Sequence, residues 1–593
     1  MRKLLRHLSH YKKESILGPL FKLLEALLEL WVPLVVAAII DRGIAQGDKG
    51  CTVRLSLLLA GLGVVGLVSS VTAQYFAAKA AVGFGERVRH RLFAHIQTLS
   101  YSQIDTIGTS TLITRMTGDM NQVQGSVNMS LRLLLRSPFV VFGAMIMAFT
   151  VDRQAALVFA VTIPLLSAVV FGVMLACIPL YRRVQEKLDE VLLTVRENLV
   201  GVRVIRAFRK EEDERQRFRE RHALLTGAQE YVGKIAALMN PVTYVIINGA
   251  VAVLIYVGAL RVDQGLLTQG EVVALYNYMS QILVELIKLA SLIIGLTKSV
   301  ACGNRIQAVL DMVPDMTFPD KAPEGMPSSS DAAAIAFRGV GLRYAGAGDH
   351  ALRDITFTAS PGDTIGVIGG TGAGKSSLVN LIPRFYDATE GEVLVDGVNV
   401  KAYPKAALRG KIGVVPQKAV LFKGSIRENL RWGNPEADDD TLYQALEAAQ
   451  AAEFVAGKEG GLDYEIAQGG KNLSGGQRQR LTIARALVHR PAVLILDDSA
   501  SALDYATDAA LRQALRNLPY RPTVFIVCQR AASLLHADKI LVLDDGQMVG
   551  MGRHEELLRS CVVYAEIYAS QFRREDDLSV GIGKEGDSYA GKE

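Results

Sequence analysis

Cysteine is scarce in this sequence and follows no pattern. The 593 residues contain five cysteines, scattered from Cys51 to Cys561, and no two of them form a C-x-x-C pair. An odd, scattered set supports neither a disulfide framework nor a cysteine-based zinc site. The sequence therefore argues against a small disulfide scaffold and against a zinc-binding module.

Charge is also scarce. Charged residues make up 21% of the chain and hydrophobic residues 50%, with a mean hydropathy of +0.23. In so apolar a chain, a net charge of +5 indicates the cytoplasmic loops of a membrane protein rather than a nucleic-acid groove. We expect part of the chain to lie in lipid and expect no nucleic-acid partner. The length exceeds that of one domain.

A cleavable leader is not apparent at the amino terminus. Arg2, Lys3 and Arg6 make this end basic, but no short apolar core with a small-residue cleavage site follows. The first thirteen residues mix leucine with basic residues, which favours a short amphipathic helix on the membrane surface.

Six long apolar runs fill the first half of the chain. A bilayer core of ~30 Å needs roughly 20 helical residues, and each run meets that length. Basic residues crowd the polar connections 81–130 and 179–240, which the positive-inside rule places in the cytoplasm together with both termini. The sequence predicts an all-α, multi-pass domain over residues 1–312 in the cell membrane. The runs are residues 15–40, 55–80, 131–150, 155–178, 241–262 and 271–297.

Polar side chains interrupt three of these runs. Charges in lipid are costly and usually face the bundle interior or an aqueous cavity. They either line a translocation pathway or hold the bundle together through hydrogen bonds and ion pairs, and the sequence leaves both readings open. The residues are Lys22, Glu25, Glu29, Asn248, Asn277, Gln281, Glu285 and Lys288.

The pattern changes after the sixth run. Residues 313–333 are rich in proline and serine, which predicts a linker. Short Val/Ile/Leu runs then alternate with helical stretches over 334–573, as is typical of an α/β domain. The charged, glycine-containing tail at 574–593 predicts disorder.

The strongest motif of this second half is Gly369-Gly-Thr-Gly-Ala-Gly-Lys-Ser376. It reads G-x-x-x-x-G-K-[ST] between a strand-like and a helix-like run, which is the context of a phosphate-binding loop. Its glycines let backbone N–H groups surround a phosphate. Lys375 is expected to reach the β- and γ-phosphates, and the Ser376 hydroxyl to bind Mg²⁺.

Further motifs accompany the loop. An apolar strand ends in Asp497, which suits the acid that holds Mg²⁺ in such enzymes. The stretch Leu473-Ser-Gly-Gly-Gln477 precedes a helix and suits a second phosphate contact. Gln417 follows Val414-Val-Pro416, and Tyr344 ends another strand-like run.

Together these motifs resemble those of half-size ATP-binding cassette (ABC) exporters, multidrug-resistance-like proteins in which one six-helix membrane domain of the type I exporter fold joins one P-loop nucleotide-binding domain. The resemblance covers roughly residues 1–573 and implies ATP and Mg²⁺ as ligands. It implies Mg²⁺ contacts by Ser376, Gln417 and Asp497, and coupling helices at Thr111–Val123 and Arg206–Glu214. The implied nucleotide contacts are Tyr344, Gly369, Gly370, Thr371, Gly372, Ala373, Gly374, Lys375, Ser376, Ser377, Gln417, Ser474, Gly475, Gly476, Gln477 and Asp504.

Two catalytic positions depart from the family pattern. Asp498 stands where the family has the Glu that orients water, and its side chain is shorter by one C–C bond, about 1.5 Å. Gln529 stands where the family has a switch His, and Gln does not titrate. Such a pair is typical of the degenerate-site subunit of a bacterial heterodimer, whose partner half-transporter carries Glu and His. The alternatives are a slowly hydrolysing homodimer and an ATP-gated membrane regulator. The expected substrate is a drug, lipid or peptide.

Overall fold

The computed structural model describes residues 1–321 and 333–572. These residues belong to two compact units. The first comprises Met1–Thr98 and Thr109–Met312, and the second comprises Leu99–Gly108 and the chain from Val313 onward. The predicted tail, 574–593, and residues 322–332 of the predicted linker lie outside the described residues.

The first 312 residues are almost entirely helical. A 3₁₀ segment, Arg6–Tyr11, joins the first two helices, and π-helical turns occur at Ile39–Ile44 and Arg115–Asp119. The helices are α1 (Arg2–Leu5), α2 (Lys12–Ala38), α3 (Lys49–Ile96), α4 (Tyr101–Ile107), α5 (Thr109–Thr114), α6 (Met120–Leu133), α7 (Arg136–Val151), α8 (Arg153–Val200), α9 (Val202–Ala207), α10 (Glu211–Ala237), α11 (Met239–Asp263) and α12 (Gln269–Leu310).

Six helical stretches among the described residues are long and apolar enough to cross a membrane, so the prediction of six membrane helices is confirmed. Helices α3 and α8 contain 48 residues each. At 1.5 Å per residue each is ~72 Å long, more than twice the bilayer core. The stretches are Lys3–Ile44, Lys49–Ile96, Thr109–Val151, Arg153–Val200, Glu211–Asp263 and Gln269–Leu310.

Small side chains let the first two membrane helices approach closely. Ala73, Ala77 and Ala80 of α3 are fully buried. A Cβ on Gly18 of α2 would lie 3.4 Å from the Ala77 nitrogen, in van der Waals contact, so only a side chain longer than that of alanine would push the helices apart. Because lipid supplies no hydrophobic drive between helices, such close packing stabilises the bundle.

The amino-terminal residues are helical, as predicted, but they pack on protein. Leu4 is buried, and Lys3 forms an ion pair with Asp311 at 2.9 Å, just beyond α12. The terminal amine of Met1 donates to Asn304 at 3.0 Å. The segment therefore contacts the end of α12. The sequence had predicted that this segment forms a helix on the membrane surface.

The second unit is an α/β domain, as predicted. Its further helices are α13 (Lys375–Leu381), α14 (Lys405–Gly410), α15 (Ile426–Arg431), α16 (Asp439–Ala448), α17 (Ala452–Ala456), α18 (Gly475–Leu487), α19 (Tyr505–Arg516), α20 (His554–Ser560) and α21 (Val562–Phe572). Its strands are β1 (Ile335–Leu342), β2 (Leu352–Ala359), β3 (Thr364–Gly369), β4 (Glu390–Val395), β5 (Val398–Asn399), β6 (Ile412–Val415), β7 (Gly424–Ser425), β8 (Glu465–Ile466), β9 (Val493–Asp497), β10 (Thr523–Val527), β11 (Lys539–Asp544) and β12 (Gln547–Gly552). Short 3₁₀ turns lie at Val400–Ala402, Gly461–Asp463, Gln468–Gly470 and Ala531–Leu534.

The register of the main sheet positions the site. Strands run in the order β12-β11-β3-β10-β9-β6, all parallel except β12, beside an antiparallel β2-β1-β4-β5 sheet. Val527 of β10 pairs with Val367 of β3 and with Asp497 of β9. The carboxyl ends of these three strands therefore meet at one edge, where ligands bind in open α/β sheets.

Candidate nucleotide-binding site

The loop after β3 has a backbone that requires glycine. Gly372 and Gly374 adopt φ values of +86° and +92°, in the left-handed region. A Cβ on Gly374 would also lie 2.6 Å from the Ala351 carbonyl oxygen. A larger residue would be strained at either position and would also clash at Gly374, so these glycines allow the tight turn that leads into α13.

A cavity of about 340 Å³ opens at this loop. It brings together residues predicted from separate stretches: Tyr344, six residues between 371 and 377, Gln417, Asp497, Asp498 and Gln529. Ala351, Val527 and Cys528 also line it and were not predicted; the last two could have been found from the end of the β10 run. The full lining is Tyr344, Ala351, Thr371, Gly372, Gly374, Lys375, Ser376, Ser377, Gln417, Asp497, Asp498, Val527, Cys528 and Gln529.

One ammonium and two carboxylates share the cavity. Lys375 Nζ donates to the carbonyl oxygens of Gly369 and Gly370 at 2.9 and 2.6 Å. Burial lowers the pKa of Lys375, and nearby Asp498 opposes that shift. Burial raises the pKa of Asp497, the neighbouring Asp498 adds to the rise, and the hydrogen bond from Ser376 opposes it. A cation bound in addition to Lys375 would reduce the repulsion between the two carboxylates.

The oxygen ligands fit Mg²⁺. Ser376 Oγ donates to Asp497 Oδ1 at 3.0 Å, and the Gln417 side chain lines the same cavity. Within the described ranges, no cluster of three His, Cys, Asp or Glu residues forms a protein-only metal cage. Mg²⁺ is commonly held by one or two protein oxygens together with substrate phosphates and water, so these ligands suit it.

The two departing residues lie in the same cavity. Gln417 Nε2 donates to Asp498 Oδ2 at 3.4 Å, and Asp498 adopts φ +47°, which aspartate tolerates better than most residues. Gln571 of α21 holds the loop after β10: its Nε2 donates to the Gln529 carbonyl at 2.7 Å, and its Oε1 accepts from Ala531 at 2.8 Å. Sequence reasoning did not point to Gln571.

The predicted signature lies outside this cavity. Ser474 Oγ accepts from the Gln477 N–H at 3.2 Å, and Gln477 Oε1 accepts from the Ser474 N–H at 3.0 Å, which caps α18. Asp504 caps α19 by accepting from Thr507 at 2.8 Å, and these hydrogen bonds lower its pKa. Gly475 and Gly476 begin α18, and Gly369, Gly370 and Ala373 belong to the loop without lining the cavity.

The two implied coupling segments lie on helical stretches of the chain. Thr111–Val123 begins within α5, ends within α6 and belongs to the first unit. Helix α4, which precedes it, belongs to the second unit, where the Tyr101 ring lies 4.8 Å from Phe385. The other implied segment, Arg206–Glu214, spans the end of α9 and the start of α10.

Comparisons with known proteins agree with this architecture. Residues 15–286 match the ABC transporter transmembrane region, and residues 352–501 match the ABC transporter family. The fold resembles a bacterial Atm1-family ABC exporter solved with ATP bound, with a TM-score of 0.75 and 22% identity over 96% of this chain and 98% of that one.

Several full-length relatives are similar in sequence. An uncharacterized ABC transporter ATP-binding protein of Mycobacterium tuberculosis is 37% identical over 581 residues, 98% of each chain. YfiB of Bacillus subtilis is 36% identical, covering 98% of this chain and all of YfiB. The ATP-dependent lipid A-core flippase of Chromobacterium violaceum is 29% identical over 96% of this chain and 97% of the flippase. The chain therefore belongs to the ABC transporters, as a half-size, ATP-driven exporter with an amino-terminal membrane domain and a carboxyl-terminal ATPase domain.

Proposed function

We propose that this chain is the degenerate-site subunit of a heterodimeric exporter that moves a small hydrophobic or amphipathic substrate across the cell membrane. The observation that carries the proposal is that Asp498 and Gln529 line the same cavity as Lys375, Ser376 and Asp497. A complete binding set combined with two altered catalytic positions favours ATP binding with slow hydrolysis.

Each residue of the cavity has a proposed role. Tyr344 stacks on adenine. Residues 369–377, which include Lys375, hold the phosphates. Mg²⁺ is held by Ser376, Gln417 and Asp497. Bound Mg²⁺ would neutralise phosphate charge. Asp498 is about 1.5 Å too short to orient water as Glu does, and a 1 Å misplacement can cost on the order of 10²-fold in rate.

The partner would complete both ATP sites. Ser474, Gly475, Gly476 and Gln477 would contact the γ-phosphate at the partner's loop, and Asp504 would lie at the junction of the two sites. From the last residue of α8 to just past α9, Val200, Val204 and Phe208 are exposed apolar residues. Such a tip suits contact with the partner's nucleotide-binding domain.

The charge of the connections supports a membrane orientation, and similarity to a named relative supports a substrate class. The basic connections favour cytoplasmic placement of the nucleotide-binding domain and both termini. The likeness to a protein named lipid A-core flippase favours a lipid-like amphiphile over a peptide.

The experiment that tests the proposal compares hydrolysis by the chain alone and with a candidate partner half-transporter. The double variant Asp498→Glu, Gln529→His restores the family residues. If the chain acts as a homodimer, this variant purified alone should hydrolyse ATP much faster than the natural chain. If it acts as a heterodimer, both should stay nearly inactive until the partner is added. Vectorial transport in sealed vesicles separates a pump from an ATP-gated regulator.

A further inference from the structure

A series of ion pairs joins three helices of the first unit. Arg136, at the start of α7, donates to Glu29 of α2 at 2.6 Å and to Glu285 of α12. Glu285 also accepts from Lys288 at 2.8 Å and from Ser137 at 2.8 Å. Glu29, Arg136, Glu285 and Lys288 thus form one relay of alternating charge within the candidate membrane spans.

The centre of this relay is buried and its ends are accessible. The side chains of Arg136 and Glu285 are 6% and 4% exposed, whereas those of Glu29 and Lys288 are 41% and 42% exposed. The buried pair neutralises its own charges, although Arg136 Nε has no hydrogen-bond partner in the described part of the chain. The two ends present opposite charges, and charges on a membrane span usually face a polar cavity or a partner because lipid tails cannot solvate them.

A nearby buried amide indicates that the relay borders a polar space. One turn before Glu285, the Gln281 Oε1 atom is buried and has no hydrogen-bond partner in the described part of the chain.

We propose that the two ends of the relay bind the headgroup of a zwitterionic amphiphile. Glu29 would take an ammonium, and Lys288 would take a phosphate or carboxylate. A ligand with a single charge satisfies one end only, so the relay selects a headgroup that carries both. The identity of the exported substrate rests on the proposed function, but binding at this site requires no ATP.

The chain supplies its own reporter for the test. It contains two tryptophans, and Trp31 lies two residues after Glu29. Trp432 stacks on Phe422 at 4.4 Å, so Trp432→Phe keeps an aromatic ring there and leaves Trp31 as the sole tryptophan. The probes are lysophosphatidylethanolamine, an alkyl phosphate and an alkylamine with equal tails. Their dissociation constants are measured by Trp31 fluorescence without ATP and repeated by thermal shift.

The zwitterion is expected to bind about tenfold more tightly than either single-charge probe, the difference of one added ion pair. Glu29→Gln leaves Arg136 paired with Glu285, and should weaken binding of the zwitterion and the amine about tenfold while sparing the alkyl phosphate. Lys288→Gln leaves Glu285 paired with Arg136, and should weaken binding of the zwitterion and the alkyl phosphate while sparing the amine.

The control is Lys210→Gln, which removes an exposed ion pair with Asp213 on another helix and should change none of the three constants. Equal affinities for all three probes, or the same loss for every probe in both variants, would overturn the proposal. A partner subunit that covers both ends would show the same uniform result. Selective zwitterion binding without ATP-driven movement in vesicles would contradict the export function and leave the site standing.

Discussion

The Tyr386 hydroxyl donates a 2.7 Å hydrogen bond to the carboxylate of Asp105 on α4. The Tyr386 ring also meets the Tyr344 ring edge-on, with centroids 5.1 Å apart. Tyr344 lines the nucleotide cavity and donates to Ser377 at 2.9 Å. One tyrosine therefore links the cavity wall to α4. Burial and Asp105 raise the pKa of Tyr386, so its hydroxyl remains a donor at neutral pH.

We expect Tyr386→Phe to separate ATP binding from its effect on α4. The ring stays against Tyr344, so ATP affinity should change less than twofold, whereas the hydrogen bond to a carboxylate, worth about 1.5–3 kcal/mol, is lost. Substrate-stimulated ATPase should fall about tenfold with binding intact. Asp105→Asn should behave similarly, and Tyr443→Phe, at an exposed tyrosine of α16, serves as the control. Normal stimulation in both test variants would contradict the link.

Lys375→Ala should sharply reduce nucleotide binding at this chain's own loop. The side chain contacts the loop carbonyls and is the only lysine lining the cavity in the described residues. The measurement is equilibrium ATP binding in an assembled pair whose partner loop is disabled. Lys411→Ala, at a surface ion pair, is the control. Unchanged binding in Lys375→Ala would argue that this cavity does not hold ATP.

Hydrolysis in the pair should depend more on Ser474 than on Asp498. On the proposed assignment, Asp498→Asn alters the weakly hydrolysing site, so total ATPase should fall only modestly. Ser474→Arg would remove γ-phosphate contacts at the partner's competent site, and one such lost contact can cost roughly 10²–10³ in rate. Steady-state ATPase of the assembled pair, with one change at a time, decides the matter. Loss of turnover in Asp498→Asn with tolerance of Ser474→Arg would reverse the site assignment.

Asp497→Asn should stabilise the nucleotide-free protein while abolishing Mg²⁺-dependent binding. Because burial raises the pKa of Asp497 in the folded protein, folding favours its protonated form, and stability is lost as pH rises through that range. Asn keeps an acceptor for Ser376 without the charge. We expect a gain in stability at pH 7 that shrinks toward pH 4, measured by denaturation with EDTA present. A pH-independent difference would contradict the electrostatic cause.

Glu285→Gln should chiefly lower stability. The sequence left open whether Glu285 lines a pathway or holds the bundle, and its burial against Arg136 favours the second. Glu285→Gln leaves Arg136 with Glu29 alone and Lys288 without its partner. The loss should therefore lie below the cost of about 3–5 kcal/mol for a buried pair whose remaining charge is stranded. Thermal unfolding in detergent should show the loss, and Glu29→Gln, whose carboxylate is half exposed, should show much less. Normal stability with an altered substrate response would restore the pathway reading.

Local patterns were enough to determine the class of this protein. The six apolar runs, the phosphate loop, the acidic strand and the signature each lie within one contiguous stretch, and their chemistry depends on spacing that a sequence displays directly. The departures at Asp498 and Gln529 could also be identified from the sequence, because each follows a recognisable strand. The α/β pattern predicted the domain type, and the parallel register explains why these stretches meet at one edge.

Other features were decided only by the tertiary structure, because they depend on which distant side chains pack together. Nothing local to Asp105 or Tyr386 shows that they share a hydrogen bond across 281 residues. The relay is likewise visible only in the structure, because its residues lie on three helices. Burial distinguishes the buried pair Arg136–Glu285 from the accessible ends, Glu29 and Lys288. Helical spacing places Gln281, Glu285 and Lys288 on one face. Only packing decides which of these polar side chains is buried against a neighbour and which stays accessible.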